Sequence, residues 1–195
     1  MAETVAPRHL RIDAQRNIDS LIESAKALFM SSGVDVPMKE IADRAGVGVG
    51  VGTLYRHFPL RSDLISAVFE REIDDCAAEA PLLAASHPPD VALELWLQRY
   101  TAFVATKHGL AAALHSGDPA YSTLRVRFEE HVGPALRVLL DNAVAAGLVH
   151  DGEDPLELLG AVANLSIPAP GSTDNSRAHR MVALMVKGLR FGAER

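Results

Sequence analysis

The chain has 195 residues, of which 48% are hydrophobic and 23% charged, with a formal net charge of -6. That composition supports a packed soluble core, falls short of membrane composition, and argues against indiscriminate binding of polyanions. No apolar run approaches bilayer length, the first twenty residues carry acids and arginines instead of an apolar signal core, and the single Cys76 excludes an internal disulfide; the expected setting is the cytoplasm, with no membrane partner.

Apolar spacing predicts an all-α chain of about nine helices, with no strand signal. Helix 1 is expected from Asp13 to Ser32 and is stopped by Gly33. Helix 2 spans Met38 to Ala45, with Asp35 and Pro37 at its entry. A third helix ends at Phe58, and a fourth runs from Arg61 to Glu79, where Pro81 is expected to stop it. Cys76, among Ile73, Ala77 and Ala80, reads as a small packing residue, with a redox-sensing thiol as the alternative.

Pro88-Pro89-Asp90 opens helix 5, which places Leu93, Trp96, Leu97, Tyr100, Phe103 and Val104 on one face. A short helix 6 follows over Gly109 to His115, then a turn at Gly117-Asp118-Pro119. Helix 7 is expected from Ala120 to Ala146, with Leu124, Phe128, Val132, Leu136 and Leu139 on one side, a kink at Pro134 and a stop at Gly147. Helix 8 covers Asp154 to Ile167, Pro168 to Ser172 form a loop, and helix 9 covers Asn175 to Phe191. These last two are apolar on more than one face and need burial on two sides. A second copy of the chain, joined in a four-helix contact across a two-fold axis, supplies the other side economically. Leu158, Val162, Leu165, Met181, Leu184, Met185 and Leu189 are the expected subunit contacts; burial inside a monomer is the alternative.

The most informative stretch is Ile41 to Phe58. Ile41, Ala42 and Ala45 form an apolar stripe, Gly46 stops that helix, and Leu54 and Phe58 restart the stripe on the next. Two short helices can then pack across a tight turn, leaving Thr53, Tyr55, Arg56 and His57 outside. Hydroxyl, phenol, guanidinium and imidazole all donate to phosphate oxygens, so the pattern fits a helix-turn-helix that reads double-stranded DNA. An ordinary helical hairpin shows the same apolar spacing. The glycine run fails as a dinucleotide fingerprint in both frames, from Gly46 and from Gly48, and as a P-loop because no lysine follows it.

From Leu10 to Val68 the chain resembles the DNA-binding domain of the tetracycline-repressor family of bacterial regulators. The matching residues are Ala27-Leu28-Phe29-Met30-Ser31-Ser32-Gly33, Lys39-Glu40-Ile41-Ala42, Ala45-Gly46-Val47, Gly52-Thr53-Leu54-Tyr55-Arg56-His57-Phe58 and Arg61-Ser62-Asp63-Leu64-Ile65. Asp13 to Asn17, Leu95-Trp96-Leu97 and Thr106 to Leu110 also resemble an actinobacterial effector-domain subgroup. The resemblance implies a helix-turn-helix domain over residues 1–60, with helix 4 as connector, and an effector-binding and dimerisation domain over 61–195. It further implies a homodimer that leaves its operator when an unidentified small molecule binds, most simply a repressor.

The resemblance also implies roles. Thr53, Tyr55 and His57 would hold phosphates, Lys39 would stand at the groove edge, and Arg61 takes the place of a lysine common at the start of helix 4. Base reading would fall to Gly50, Val51, Gly52 and Thr53. The glycines offer no side chain, so Val51 and Thr53 would touch thymine methyls while Lys39 or Arg56 reaches guanine. Arg8 and Arg11 are read either as a minor-groove arm or as a solvated terminus. The first 70 residues carry 8 Lys/Arg against 9 Asp/Glu, and the remainder 11 against 16, so the acid lies mainly outside the reading head. An effector pocket is expected among Trp96, Tyr100, Phe103, His115, Tyr121, Arg125, Phe128 and His131, an apolar set with a few polar handles.

One departure from the family pattern matters. Relatives usually carry two residues between Ala-Gly-Val and Gly-Thr-Leu-Tyr, whereas here Val49-Gly50, or an equivalent pair, is extra. Two residues added inside a helix rotate everything beyond them by about 200°. Either the turn lengthens and the reading helix still begins near Gly50, or the helix starts near Gly48 and takes in two glycines, each costing roughly 1 kcal/mol relative to alanine. The longer turn is the expectation, with Leu54 and Phe58 as its anchors; a dimeric scaffold whose DNA reading is impaired is the alternative function. Catalysis and a metal or cofactor are not expected. No histidine has an acid three or four residues before it, no Gly-x-Ser-x-Gly elbow occurs, and the pairs His115 with Asp118 and His150 with Glu153 and Asp154 lie in loops that favour Asp as a cap.

Overall fold

The computed structural model describes residues 6–46, 49–167 and 176–191. The order is α1 (Ala6–Ser32), α2 (Met38–Ala45), α3 (Val51–His57), α4 (Arg61–Ser86), α5 (Pro89–Gly109), α6 (Ala111–Leu114), a 3-10 turn (Pro119–Tyr121), α7 (Leu124–Ala145), α8 (Pro155–Leu165) and α9 (Ser176–Phe191). No strand occurs among the described residues, so the fold is all-α. Contacts divide the chain into two compact units, Met1–Phe69 with Gly109–Ser122, and Glu70–His108 with Thr123–Arg195. Each unit therefore combines two separated stretches of sequence.

In the first unit α1 packs on α2 and α3, and Leu21, Ala25 and Phe29 of α1, Ile41 and Ala42 of α2, Leu54 of α3, and Leu64 and Val68 of α4 all have almost no exposure. Two polar ties fix the short helices. Ser20 Oγ donates to the carbonyl of Ala45 at 2.7 Å, serving the open end of α2. The Leu60 N–H donates to Asp63 at 2.8 Å, the reach-back half of a capping box that starts α4. Leu110 is 1% exposed and the carbonyl of Ala120 accepts from Ser66 at 3.1 Å, which binds the later stretch to α4 within this unit.

In the second unit the expected face of α5 is buried throughout, from Leu93 to Val104, together with Ile73, Cys76, Val132, Leu136, Leu139, Val162, Val182 and Val186. Gly147 ends α7 at φ +69, a conformation that costs glycine little. Its N–H donates to the carbonyl of Val144 and that of Leu148 to Ala143, the paired bonds of a Schellman cap. Asp154 caps α8 by accepting from the N–H groups of Leu156 and Glu157 at 2.9 and 3.0 Å, with Pro155 in the first helical position.

Three helix boundaries differ from expectation. Pro81 does not stop α4, which continues to Ser86. Proline forfeits only its own backbone bond, to the Ala77 carbonyl, and the Ala/Leu-rich run after it favours helix; one residue earlier the indole N–H of Trp96 donates to the Cys76 carbonyl at 2.8 Å and holds this part of α4. The segment from Pro119 forms its own turn instead of opening α7, because Asp118 accepts from the Ala120 N–H at 2.9 Å and Ser122 Oγ donates back to the Pro119 carbonyl at 2.7 Å. α1 begins at Ala6, so Arg8 and Arg11 stand on helical backbone, not an extended arm; their side chains, like the loop expected over 168–172, lie outside the described residues.

Candidate nucleic-acid interface and effector core

Gly46 closes α2 at φ +101, a backbone state that suits glycine, and the Val49 N–H donates to its carbonyl at 3.2 Å. Gly50 is extended at φ -78 and ψ 160 and serves as the N-cap of α3. The extra pair therefore sits ahead of the helix, in a longer turn. Val49 is 7% exposed, so the turn also adds an apolar side chain to the core. Leu54 and Phe58 are buried at 0% and 8%, and helix 3 keeps its seat.

Seating Leu54 and Phe58 turns the rest of α3 outward. Val51 is 40% and Tyr55 50% exposed, Gly52 and Arg56 are exposed, and Thr53 and His57 are half-buried. A Cβ built on Gly50 or Gly52 meets no heavy atom within 4 Å, and neither residue has a positive φ, so the fold itself asks for glycine at neither. Lys39 is exposed and pairs with Asp43 at 2.7 Å, a hydrogen bond and charge that hold its ammonium above the usual lysine range. Arg61 is engaged within the unit: its Nη1 donates to the carbonyls of Val34 and Val36 at 2.5 and 2.7 Å, tying the start of α4 to the α1–α2 loop.

The expected pocket residues separate into two groups. Trp96, Tyr100 and Phe103 are buried and, with the half-buried Phe128, form a run of rings: Trp96 and Tyr100 centroids lie 6.0 Å apart with planes 4° apart, Tyr100 and Phe103 5.5 Å, Phe103 and Phe128 5.6 Å. Burial pushes the Tyr100 phenol well above its ordinary range, and pushes the Cys76 thiol up to about 12. In the same unit, Arg127 grips Asp74 through Nε and Nη2 at 3.2 and 2.6 Å, and His131 Nδ1 lies 3.3 Å from the same carboxylate. Arg125 is exposed and pairs with Glu129 at 2.8 Å on the surface. His115 and Tyr121 belong to the first unit, where His115 is exposed and Tyr121 lines an open cleft of about 520 Å³ with Asp35, Leu60 and Ile65.

Sequence reasoning missed Glu72 and Thr106, 1% and 3% exposed, with the threonine hydroxyl donating to the carboxylate at 3.3 Å. An acid in an apolar helix reads as a solvated face until the packing is known. Of the expected subunit contacts, Leu158, Val162 and Leu189 are buried within the chain itself, Met181 and Met185 are half-buried, and Leu165 and Leu184 are 37% and 63% exposed. Leu156 at 47% and Ile167 at 51% extend the apolar surface.

Among the loop pairs, His150 Nε2 lies 3.5 Å from Glu153, and Asp154 and Asp118 act as helix and turn caps. No group of three or more His, Cys, Asp or Glu side chains is placed to hold a metal ion among the described residues. No helix there is long and apolar enough to cross a membrane.

Comparison with known proteins agrees with this arrangement. Residues 21–68 match the family described as bacterial regulatory proteins, tetR family, and residues 88–191 match the C-terminal domain of SbtR-like transcriptional regulators. The HTH-type transcriptional regulator SAUSA300_2515 of Staphylococcus aureus is 42% identical over 66 residues, which are 33% of this chain and 35% of that protein. The crystal structure of the TetR transcriptional regulator SCO0520 from Streptomyces coelicolor is 32% identical, covers 89% of this chain and 98% of its own, and superposes with a TM-score of 0.73. A TetR regulatory protein from Mycobacterium vanbaalenii, also 32% identical, covers 93% and 99% with a TM-score of 0.71. With a buried helix 3 anchor, an exposed polar face beside it and matches over both units, the chain belongs to the tetracycline-repressor family of bacterial transcriptional regulators.

Proposed function

We propose that the chain is a cytoplasmic, non-enzymatic repressor that binds operator DNA as a homodimer and releases it when a small molecule occupies the second unit. The observation that carries the reading is the seat of α3: with Leu54 and Phe58 inside, Thr53, Tyr55, Arg56 and His57 stand where donors can meet phosphates. Val51 and Thr53 are the apolar and methyl-bearing groups nearest the helix start and are assigned to base edges. Lys39 and Arg56 supply the remaining cationic contacts. The two units then divide the labour, the first reading DNA and the second taking the effector.

The dimer is supported by the outer faces of α8 and α9. Leu156, Leu165, Ile167 and Leu184 are exposed, and a Cβ on Gly160 or Gly188 meets nothing within 4 Å. Large apolar groups flanking a glycine give a shallow saddle that a second helix can enter closely. A ligand that favours one arrangement of two reading heads over another shifts DNA affinity by its differential binding.

Fluorescence anisotropy of the purified protein on DNA from upstream of its own gene, against a scrambled duplex and across salt concentrations, tests the reading. Selective binding that weakens steeply with salt is the expected result. Equal, weak binding to that duplex, to the scrambled one and to any operator selected from a random pool ends it.

A further inference from the structure

The open cleft of the first unit lies where its two stretches of sequence come together. Val34, Leu60 and Ile65 line it from the α1–α2 loop and the start of α4, and Ala113, Asp118 and Tyr121 line it from the later stretch. Its volume of about 520 Å³ falls in the range of small-molecule sites, and part of its wall is apolar. Leu60 is 62% exposed, so a large apolar side chain of that wall is left to solvent.

The charge of the lining is acidic. Asp35 and Asp118 stand against one base, Arg61, whose Nη1 is already taken by the carbonyls of Val34 and Val36. Burial, and then the charges of Asp118 and Asp63, hold the Tyr121 phenol above its ordinary range, so the field of these acids reaches the aromatic part of the wall. That field repels an anion and draws a cation, and a neutral tyrosine ring adds to the attraction.

We propose that this cleft binds a small organic monocation with an apolar body, the body against Val34 and Leu60 and the charge toward Asp35, Asp118 and Tyr121. The site belongs to the first unit, apart from the aromatic core of the second. Its occupant touches both stretches of sequence and stabilises the unit by mass action.

Benzyltrimethylammonium, benzyl alcohol and benzoate are titrated by calorimetry into the full-length protein and its Asp35→Asn/Asp118→Asn variant. Asparagine caps a turn as aspartate does, so the double variant removes charge while the Ala120 N–H keeps an acceptor. The cation should bind the parent saturably and the variant about three- to tenfold more weakly, the worth of two partly exposed charge contacts. Benzyl alcohol should bind both proteins alike, and benzoate neither. The cation should also raise the melting temperature of the parent more than that of the variant.

Ser116→Arg adds a second base at an exposed lining residue and should weaken the cation too, which serves if the double variant fails to fold. No saturable binding of the cation, equal affinity in the parent and the folded variants, or benzoate bound as tightly as the cation each overturns the proposal.

Discussion

Gly52→Ala sets the stability of α3 against its use. Gly52 lies in the helix, exposed, without a positive φ, and an added Cβ meets no heavy atom within 4 Å. Alanine should therefore be accepted without strain and recover part of the roughly 1 kcal/mol that glycine costs in a helix; near the helix start about 0.5–1 kcal/mol is reasonable. For a chain of this size that is a rise in melting temperature of about 1–4 °C. The same methyl points from the exposed face that Gly52 shares with Tyr55 and Arg56, one turn on. If the duplex lies against the helix backbone there, the methyl pushes it off and affinity should fall on the order of tenfold, equivalent to about 1.4 kcal/mol. Differential scanning fluorimetry and anisotropy on one preparation give both numbers. A higher melting temperature with unchanged DNA affinity would mean that the duplex does not approach at this residue. A lower melting temperature would mean that α3 is not built as described.

Arg61→Gln should lower the melting temperature, because the carbonyls of Val34 and Val36 lose their donor at a cost of about 1–3 kcal/mol, while the slope of log K against log salt stays unchanged; a shallower slope with an unchanged melting temperature would make Arg61 a phosphate contact instead. Cys76 should resist a thiol reagent in the native protein at pH 8 and react on unfolding, and rapid native labelling would refute its burial. With its folded value raised by burial from 9.0 to about 12, the unfolded thiol ionises first, so its contribution to stability is whole below pH 9 and is lost as pH climbs toward 12, readable by denaturant titration. Arg190→Met removes the bridge from α9 to Asp90 and Glu94 at 3.0 and 3.2 Å and leaves two acids together; being one-third exposed it should cost on the order of 1 kcal/mol in urea unfolding. Leu184→Glu should shift sedimentation toward monomer with little change in helicity, and an unaltered dimer would place the subunit contact elsewhere.

Much of this was legible because short-range chemistry decided it. Gly33, Gly46 and Gly147 end helices where the sequence said they would, and the Leu54/Phe58 spacing identified the inward face of α3 despite the extra pair before it. What failed needed tertiary knowledge. A proline reads as a stop, but Pro81 follows a segment that Trp96 clamps from another helix. Helices α8 and α9 are apolar on two faces, and periodicity alone does not say which faces inward; Leu158, Val162 and Leu189 went to the chain's own core. Glu72 gave no signal at all, since one of its partners, Thr106, lies 34 residues away.

The first unit borrows residues 109–122 from within the sequence span of the second. A gene fragment cut after Phe69 would synthesise a reading head missing the stretch that contributes Leu110 to its core and accepts from Ser66. Recombination that trades reading heads between relatives meets the same constraint. A single crossover joins a head to a foreign patch, so successful chimeras should carry two junctions, or show compensating changes where that patch meets α4.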